Sequence, residues 1–160
     1  MSLTTLVLAA GRGRRFGSES KLLAPLAGRA VLGRVFDRLA EAGLDTGFVA
    51  LPDNSRFSAL QALVPVGFDA IPVDQNTIGM GLSLAAIARR VPAGHGVLLA
   101  LGDQPLLTKA ALLALLARQS GDRIARLTHQ GAAGHPVLFP ARFVDQLTAL
   151  TGDQGPRHLI

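Results

Sequence analysis

The sequence predicts an α/β protein, a three-layer sandwich in which helices cover both faces of a mostly parallel central sheet. Three observations predict this fold. Short apolar runs alternate with segments whose apolar residues recur at helical spacing. The connections between them are short, which favours parallel strands joined by helices. Residues 96–101 (GVLLAL) are wholly apolar, as is typical of a central strand covered on both faces.

The first 63 residues are predicted to contain two strands and two helices. Residues 4–9 are apolar and β-branched, so they predict a buried first strand. Pro and Gly mark a turn at 25–28, and the spacing of apolar residues then predicts a helix over 30–42 that a glycine ends. A second strand is predicted at 46–51, closed by a Pro-Asp-Asn turn, and a second helix at 56–63.

The middle of the chain continues the alternation. Residues 68–73 predict a third strand, which a proline interrupts. The glycine-flanked segment NTIGMGLS opens a helix that runs through Arg90. The apolar run 96–101 is the fourth strand, and Thr108 is suited to cap a helix that extends to about Arg118.

The last part of the chain shows weaker signals. Short strands are predicted at 124–128 and 137–139, on either side of a loop GAAGHP. A helix is predicted over 142–150, and residues 155–160 are expected to begin another. No repeat, linker or low-complexity segment interrupts the pattern, so residues 1–160 are predicted to form one domain.

Composition limits the kinds of partner. The net charge of +5 indicates an anionic partner, either nucleic acid or a phosphorylated small molecule. The chain has no Trp or Tyr and its seven Phe are scattered, which disfavours a base-stacking surface and hence nucleic acid. No apolar run approaches the roughly 20 residues that span a bilayer, and no signal peptide is evident, so no membrane association is expected. The absence of Cys fits a cytoplasmic protein.

Residues 6–21 join an apolar strand to a glycine-rich loop and then to cations, the order in which parallel α/β proteins hold a phosphate. The Walker pattern fails because Lys21 is followed by Leu22 instead of Ser or Thr. A dinucleotide fingerprint is disfavoured because no acidic residue ends the second strand. Backbone N–H groups at 10–13 are suited to approach phosphate oxygens, since glycine permits close contact. The cations of the loop are Arg12, Arg14, Arg15 and Lys21.

Several motifs, in order along nearly the whole chain, resemble those of one family. The loop reads L-A-A-G-x-G-x-R-F-G-x-x-x-K-L-L, and it is followed by PLAGRAVL, GMGLSL, LGDQPLL, GHPVLF and GDQGPRHLI. The chain resembles the MobA-like nucleotidyltransferases and is most similar to their molybdenum cofactor cytidylyltransferase branch. The resemblance implies a nucleotidyltransferase fold of the glycosyltransferase-A-like type and a single nucleotidyltransferase domain over residues 1–160.

Nucleotidyl transfer brings two anions together, so the enzyme must neutralise charge and align the reacting groups. Lys21 is suited to place a point charge on the phosphates, and Arg14 or Arg15 to hold their oxygens through two N–H groups. Asp103 follows the predicted central strand, where a carboxylate is suited to bind Mg²⁺ together with phosphate oxygens, and the resemblance assigns it that role. We therefore predict that Lys21, Arg14 and Asp103 are catalytic. The alternatives are a solvated basic face and a turn-capping aspartate.

A wider set of residues is predicted to bind substrates. Asp74 ends the third strand and resembles the family's position near the base or ribose. Asn76, Gly81 and Ser83 belong to the glycine-bounded segment that follows, although Ser83 is equally a candidate helix cap. His135, in GHP, resembles the position near the acceptor, with a local hydrogen-bonding role as the alternative. The predicted nucleotide-binding residues are Leu8, Ala9, Ala10, Gly11, Gly13, Lys21, Asp74, Asn76, Gly81, Ser83 and Asp103.

The hypothesis is a Mg²⁺-dependent transfer of CMP from CTP to the phosphate of a molybdopterin-type cofactor, with release of pyrophosphate. CTP is preferred because LAAG at 8–11 resembles cytidylyltransferases, whereas guanylyltransferase relatives tend to have Ala-Gly-Gly. The alternatives are a sugar-phosphate or GTP-dependent nucleotidyltransferase, and a nucleotide-binding relative with little or no catalysis. Relatives usually continue past GDxGxR into an Asp-x-Asp-Thr-Pro-like motif that helps hold the metal, so the family's C-terminal segment is expected to be missing. A monomer or weak oligomer is expected.

Overall fold

The computed structural model describes residues 2–11, 20–74 and 79–160. The predictions for Gly13, Arg14 and Asn76 concern residues outside these ranges. The strands are β1 (Leu3–Leu8), β2 (Pro25–Leu26), β3 (Arg29–Ala30), β4 (Gly47–Pro52), β5 (Phe68–Val73), β6 (Gly96–Leu101), β7 (Ala125–His129) and β8 (Ala132–Phe139).

Six of these strands form one sheet in the order β5-β4-β1-β6-β8-β7. The four strands β5, β4, β1 and β6 are parallel neighbours, whereas β8 runs antiparallel to both β6 and β7. In the centre of the sheet, Val7 lies between Val49 and Ala100. The predicted, mostly parallel sheet is confirmed, and so is the interior position of the apolar run 96–101.

Helices cover both faces of this sheet because each presents an apolar side to it. One face packs against Leu32, Leu60 and Leu112, and the other against Leu84 and Leu147. The predicted three-layer arrangement is confirmed. In the described ranges, no helix has the length and hydropathy needed to cross a membrane. The helices are α1 (Val31–Glu41), α2 (Phe57–Gln61), α3 (Met80–Ala88), α4 (Lys109–Leu116) and α5 (Val144–Thr148).

The loop predicted at GAAGHP is wrong, because these residues lie almost entirely in β8. The connection from β7 is a two-residue turn at Gln130 and Gly131, with φ of 49° and 78°. Positive φ at both positions is the geometry of a type I′ hairpin turn, which matches the twist of the flanking strands. Ala and Gly rank low as strand formers, so the pairing with β7 determines the conformation and local propensity does not.

The predicted helices near the end of the chain are shorter in the structure. The helix expected over 142–150 is a 3₁₀ turn followed by the five-residue α5. The segment 155–160 forms a 3₁₀ turn and not the start of an α-helix. By contrast, Thr108 caps α4 as predicted, because its hydroxyl accepts a hydrogen bond from the Ala111 N–H at 3.1 Å.

The strands β2 and β3 form a small hairpin before α1, where the sequence predicted a turn but no strands. Its turn residues, Ala27 and Gly28, both have positive φ, 52° and 83°. Two arginines tie the hairpin to α1. Arg34 Nε donates to the Leu26 carbonyl at 3.0 Å, and Arg29 Nε donates to Asp37 Oδ2 at 2.7 Å. The hydrogen bond from Arg29 holds the pKa of Asp37 below its usual value.

Candidate functional site

The loops that follow β1, β4 and β6 meet at the carboxyl edge of the sheet. The Ala9 N–H donates to the Ala50 carbonyl at 3.0 Å, and the Gly102 N–H donates to the Leu8 carbonyl at 2.8 Å. A Cβ on Gly102 would lie 3.0 Å from the Ala9 Cβ, so glycine makes this close approach of the two loops easier. Parallel strands therefore deliver the glycine loop and the Asp103 loop to the same place, where α/β proteins bind ligands.

A pocket of about 200 Å³ opens at this edge. Most of the predicted nucleotide-binding residues in the described part of the chain line it. They are Leu8, Ala9, Ala10, Gly11, Lys21, Ser83 and Asp103. They come from three places far apart in sequence, the β1 loop, the start of α3 and the β6 loop, so the fold alone brings them together. Their roles stay predictions.

Lys21 and Asp103 form an ion pair across this pocket, with 3.8 Å between Lys21 Nζ and Asp103 Oδ2. Their side chains are 50% and 49% exposed. A pair this open contributes only about 0–1 kcal/mol to stability. Both groups are therefore available to a ligand, and the fold does not depend on their contact.

Ser83 lies inside α3 and not at its end. The helix begins after Gly79, and the Ser83 N–H donates to the Gly79 carbonyl at 3.1 Å as part of the helical ladder. The alternative role of Ser83 as a helix cap is therefore wrong. Its side chain is buried and faces the pocket, where its hydroxyl is suited to hydrogen-bond a ligand.

Gly81 has a packing role. A Cβ on Gly81 would lie 2.7 Å from the Gln154 carbonyl oxygen and 2.8 Å from that of Thr151. The segment 151–154 therefore lies directly across the first turn of α3, and only a residue without a side chain permits this approach. Gly81 is not among the described residues that line the pocket, but its neighbours Met80 and Ser83 are.

We expect Gly81→Ala to destabilise the fold by about 1–3 kcal/mol, since the added methyl group forces backbone carbonyls apart. The same shift should weaken binding of the predicted nucleotide, because the start of α3 lines the pocket. Chemical denaturation and substrate titration measure the two effects. Gly121→Ala is the matched control, since a Cβ there meets nothing within 4 Å. Equal stability of the two variants would contradict the packing role.

Asp74 is a predicted nucleotide-binding residue that is not part of the described lining of this pocket. It follows β5, the outermost strand on its side, and is exposed. Two strands separate it from the β6 loop, and it is not among the described residues of the pocket lining. Its proposed role near the base or ribose stays a prediction, as do those of Gly13, Arg14 and Asn76.

Arg56 lines the first pocket, although the sequence did not predict it as a site residue. It follows the turn after β4, where its N–H donates to Asn54 Oδ1 at 2.9 Å. The signal was present, because a cation just past a parallel strand lies at the ligand-binding edge. Four further residues of the pocket lining are not among the predicted site residues. They are Ser20, Leu22, Met80 and Leu101.

A second pocket, of about 370 Å³, adjoins the other side of Asp103. Its walls are the loop after β6 and His135 at the start of β8. The β6–β8 register explains this placement. Val137 lies opposite Leu99, so His135, two residues earlier on the antiparallel strand, lies level with the end of β6. The described residues that line this pocket are Asp103, Gln104, Pro105, Leu106, Leu107 and His135.

Burial lowers the pKa of His135, and the positive charges of Arg126 and Arg157 lower it further, whereas Asp103 opposes them. The unfolded chain therefore binds more protons than the folded protein once the pH falls below the ordinary value of 6.5. The stability that a neutral His135 supports is present above that pH and is lost below it.

We expect the melting temperature of the unaltered protein to fall more between pH 7.5 and 5.5 than that of His135→Asn, which cannot titrate in this range. Differential scanning calorimetry at the two pH values measures the difference. Parallel losses in both proteins would show that this histidine does not contribute to the acid sensitivity.

The family model described as "MobA-like NTP transferase domain" matches residues 5–160. The chain belongs to this family. Its members are nucleotidyltransferases, which bind a nucleoside triphosphate and a phosphorylated acceptor.

Solved structures of similar proteins superpose on nearly the whole chain. Rv0371c from Mycobacterium tuberculosis H37Rv gives a TM-score of 0.87 at 32% identity, covering 99% of this chain and 81% of its own. A nucleotidyl transferase from Methanothermobacter, Mth528, gives 0.74 at 25% identity, covering 97% and 79%. These likenesses confirm the predicted nucleotidyltransferase fold.

Curated relatives match over a smaller share of their length. The bifunctional protein GlmU of Halorhodospira halophila is 34% identical over 117 residues, which are 72% of this chain and 24% of that protein. GlmU of Sinorhizobium medicae is 35% identical over 111 residues, 67% of this chain and again 24% of the relative. The chain thus spans about a quarter of the length of these relatives.

Nucleotidyltransferases typically use a divalent metal, and Rv0371C has been crystallised as a complex with manganese (TM-score 0.82, 30% identity, 99% of this chain and 82% of that one). Asp103 suits such an ion, because its half-exposed carboxylate faces a pocket open to phosphate oxygens. Among the described residues, no three His, Asp or Glu side chains group as a metal site. The donor set therefore fits an ion completed by substrate oxygens and water.

Proposed function

We propose that this MobA-like protein transfers CMP from CTP to the phosphate of a molybdopterin-type cofactor and releases pyrophosphate. The observation that carries the proposal is the position of Asp103, which belongs to both pockets. A donor triphosphate in the Lys21 pocket and an acceptor phosphate in the His135 pocket would meet at this one carboxylate. Transfer between two anionic substrates requires that geometry.

The proposed reaction is an in-line displacement at the α-phosphorus. An oxygen of the acceptor phosphate forms the new P–O bond, the bond to the β-phosphate oxygen breaks, and pyrophosphate leaves with that electron pair. No proton donor to the leaving group is required, since pyrophosphate is a stable anion at neutral pH.

The residues of this chain would bind and orient the substrates. Backbone N–H groups of Ala10 and Gly11 are suited to approach the triphosphate, and the Lys21 ammonium to balance the negative charge of its phosphates. A bound Mg²⁺, which Asp103 would hold, supplies further charge neutralisation on those phosphates. The buried Ser83 hydroxyl adds a hydrogen-bond donor on the α3 side. Within this proposal the protein is cytoplasmic.

The preference for CTP rests on the motif LAAG at 8–11, whose two alanines line the pocket. Isothermal titration with each of the four nucleoside triphosphates in the presence of Mg²⁺ tests it. CTP should bind most tightly. Tighter binding of GTP would favour the GTP-dependent alternative over the cytidylyltransferase.

Pyrophosphate release with candidate acceptors tests the reaction itself. Molybdopterin with CTP should give turnover, and hexose 1-phosphate with CTP should not. Turnover with the hexose phosphate alone would overturn the proposed acceptor in favour of a sugar-phosphate nucleotidyltransferase. CTP binding without turnover on either acceptor would identify a nucleotide-binding relative with little catalysis.

A further inference from the structure

The second pocket, in which the acceptor is proposed to bind, has no Lys or Arg among its described lining residues. Its charged lining residue among those the structure describes is Asp103, whose carboxylate would repel an acceptor phosphate. Lys21 lines the donor pocket and is not among the described residues that line this one. An anionic acceptor therefore needs positive charge from the other end of the pocket, where His135 lies.

Arg126 is not among the described residues that line this pocket, but it reaches the backbone next to His135. Arg126 on β7 lies directly opposite Val137 on β8, so the two side chains share one face of the sheet. The register then shifts between Arg126 and Thr128, so residues 134–136 of β8, which include His135, pair irregularly with β7. The neighbours of Arg126 on β7, Ala125 and Leu127, pack against the opposite face. The pairing thus places Arg126 beside the irregular stretch of β8 that contains His135.

Hydrogen bonds hold the arginine there. Arg126 Nε and Nη2 both donate to the Gly134 carbonyl, at 3.4 and 3.2 Å, and Gly134 is the residue before His135. The guanidinium has five N–H donors, so several remain for another partner. Its positive charge contributes to the lowered pKa of His135.

The opposite wall of the pocket has a different chemistry. Pro105, Leu106 and Leu107 form it, and the Leu106 side chain is 83% exposed at the rim. These side chains offer no hydrogen-bond partners to a polyhydroxylated body. They are suited to an apolar or flat ring system, whose burial against Leu106 would be favourable.

We propose that Arg126 is the residue that selects an anionic acceptor: it fixes the His135 end of the pocket and supplies the positive charge there, while the 105–107 wall contacts the acceptor's apolar body. This inference rests on the proposed function of the same site, but it concerns acceptor binding alone.

Binding of phenyl phosphate, followed by NMR titration of the CTP-loaded protein, tests the inference without requiring turnover. Arg126→Gln should weaken binding about tenfold, the size expected from losing one charge-assisted contact. Arg126→Lys, which keeps the charge, should recover most of that loss. Leu106→Ser should weaken phenyl phosphate binding and leave inorganic phosphate binding unchanged.

Arg142→Gln is the matched control, because Arg142 also donates to a backbone carbonyl, that of Asp122, but follows β8 at the opposite edge of the sheet. It removes the same charge and should leave phenyl phosphate binding unchanged. Equal binding by Arg126→Gln and the unaltered protein, or equal losses in Arg126→Gln and Arg142→Gln, would overturn the inference. A defect in CTP titration or pyrophosphate release with intact phenyl phosphate binding would instead count against the proposed reaction.

Discussion

Replacing Asp103 by Ala is expected to lower turnover at least ~100-fold, the loss typical of removing one preorganised stabilising group. Asp103 lines both pockets and is the carboxylate suited to hold the metal, so its removal affects both substrates at their meeting point. The folded state should lose little, because the ion pair with Lys21 is half exposed. Pyrophosphate release and thermal unfolding measure the two quantities separately.

The control for this prediction is Asp69→Ala, which removes an exposed carboxylate from the edge strand β5. That variant should keep the turnover of the unaltered protein. A well-folded Asp103→Ala protein with unchanged turnover would remove Asp103 from the proposed site. Metal titration gives a second test, since Asp103→Ala should need a higher Mg²⁺ concentration for half-maximal rate.

Replacing Lys21 by Ala is expected to cost a similar factor, at least ~100-fold in turnover, if its ammonium stabilises charge on the transferring phosphoryl group. Lys21 lines the same pocket as Ala10 and Gly11. Lys21→Arg should not restore the rate fully, because a planar guanidinium does not replace a compact ammonium at one oxygen.

The other lysine of the chain provides the comparison. Lys109 is the first residue of α4 and is exposed, so Lys109→Ala removes the same charge without touching the pocket. The double variant Lys21→Ala/Asp103→Ala tests whether the two residues act together. A loss no larger than that of either single variant would indicate one functional unit, and a product of the two losses would indicate independent roles.

The sequence predicted the parallel part of this fold well because each strand carries its own signal. The run 96–101 is apolar throughout, and both faces of the sheet are covered around it. Residues 68–73 form a strand despite Pro72, since an edge strand needs hydrogen bonds on one side only. These features depend on local composition, which a sequence displays directly.

The parts that were not predicted depend on contacts between distant residues. The β7–β8 hairpin includes the weak strand formers Ala132, Ala133 and Gly134, which pairing alone holds extended. Gly81 was predicted to bind the nucleotide. The structure shows that the backbone of residues 151–154 approaches it closely, which the sequence did not predict. Local patterns contain no information on such encounters.

The candidate site likewise contains residues that the sequence predicted and residues that it did not. The glycine loop, Lys21 and Asp103 follow strand ends, so topology predicts that they meet. Arg56 was not predicted, although it also follows a strand end, because a single arginine outside any motif looks like any other arginine in the sequence. The contact between Arg126 and Gly134 could not be foreseen, because it requires the antiparallel pairing of the first half of β8, which the sequence predicted as a loop.

The antiparallel hairpin of β7 and β8 has a consequence for how nucleotidyltransferases of this fold could diversify. The two residues proposed to recognise the acceptor, Arg126 and His135, lie within one continuous hairpin at the end of the sheet. The donor pocket is assembled from the β1 loop, the start of α3 and the β6 loop, none of which includes that hairpin. Exchange of one short gene segment could therefore redirect the choice of acceptor while the nucleotide chemistry is inherited unchanged.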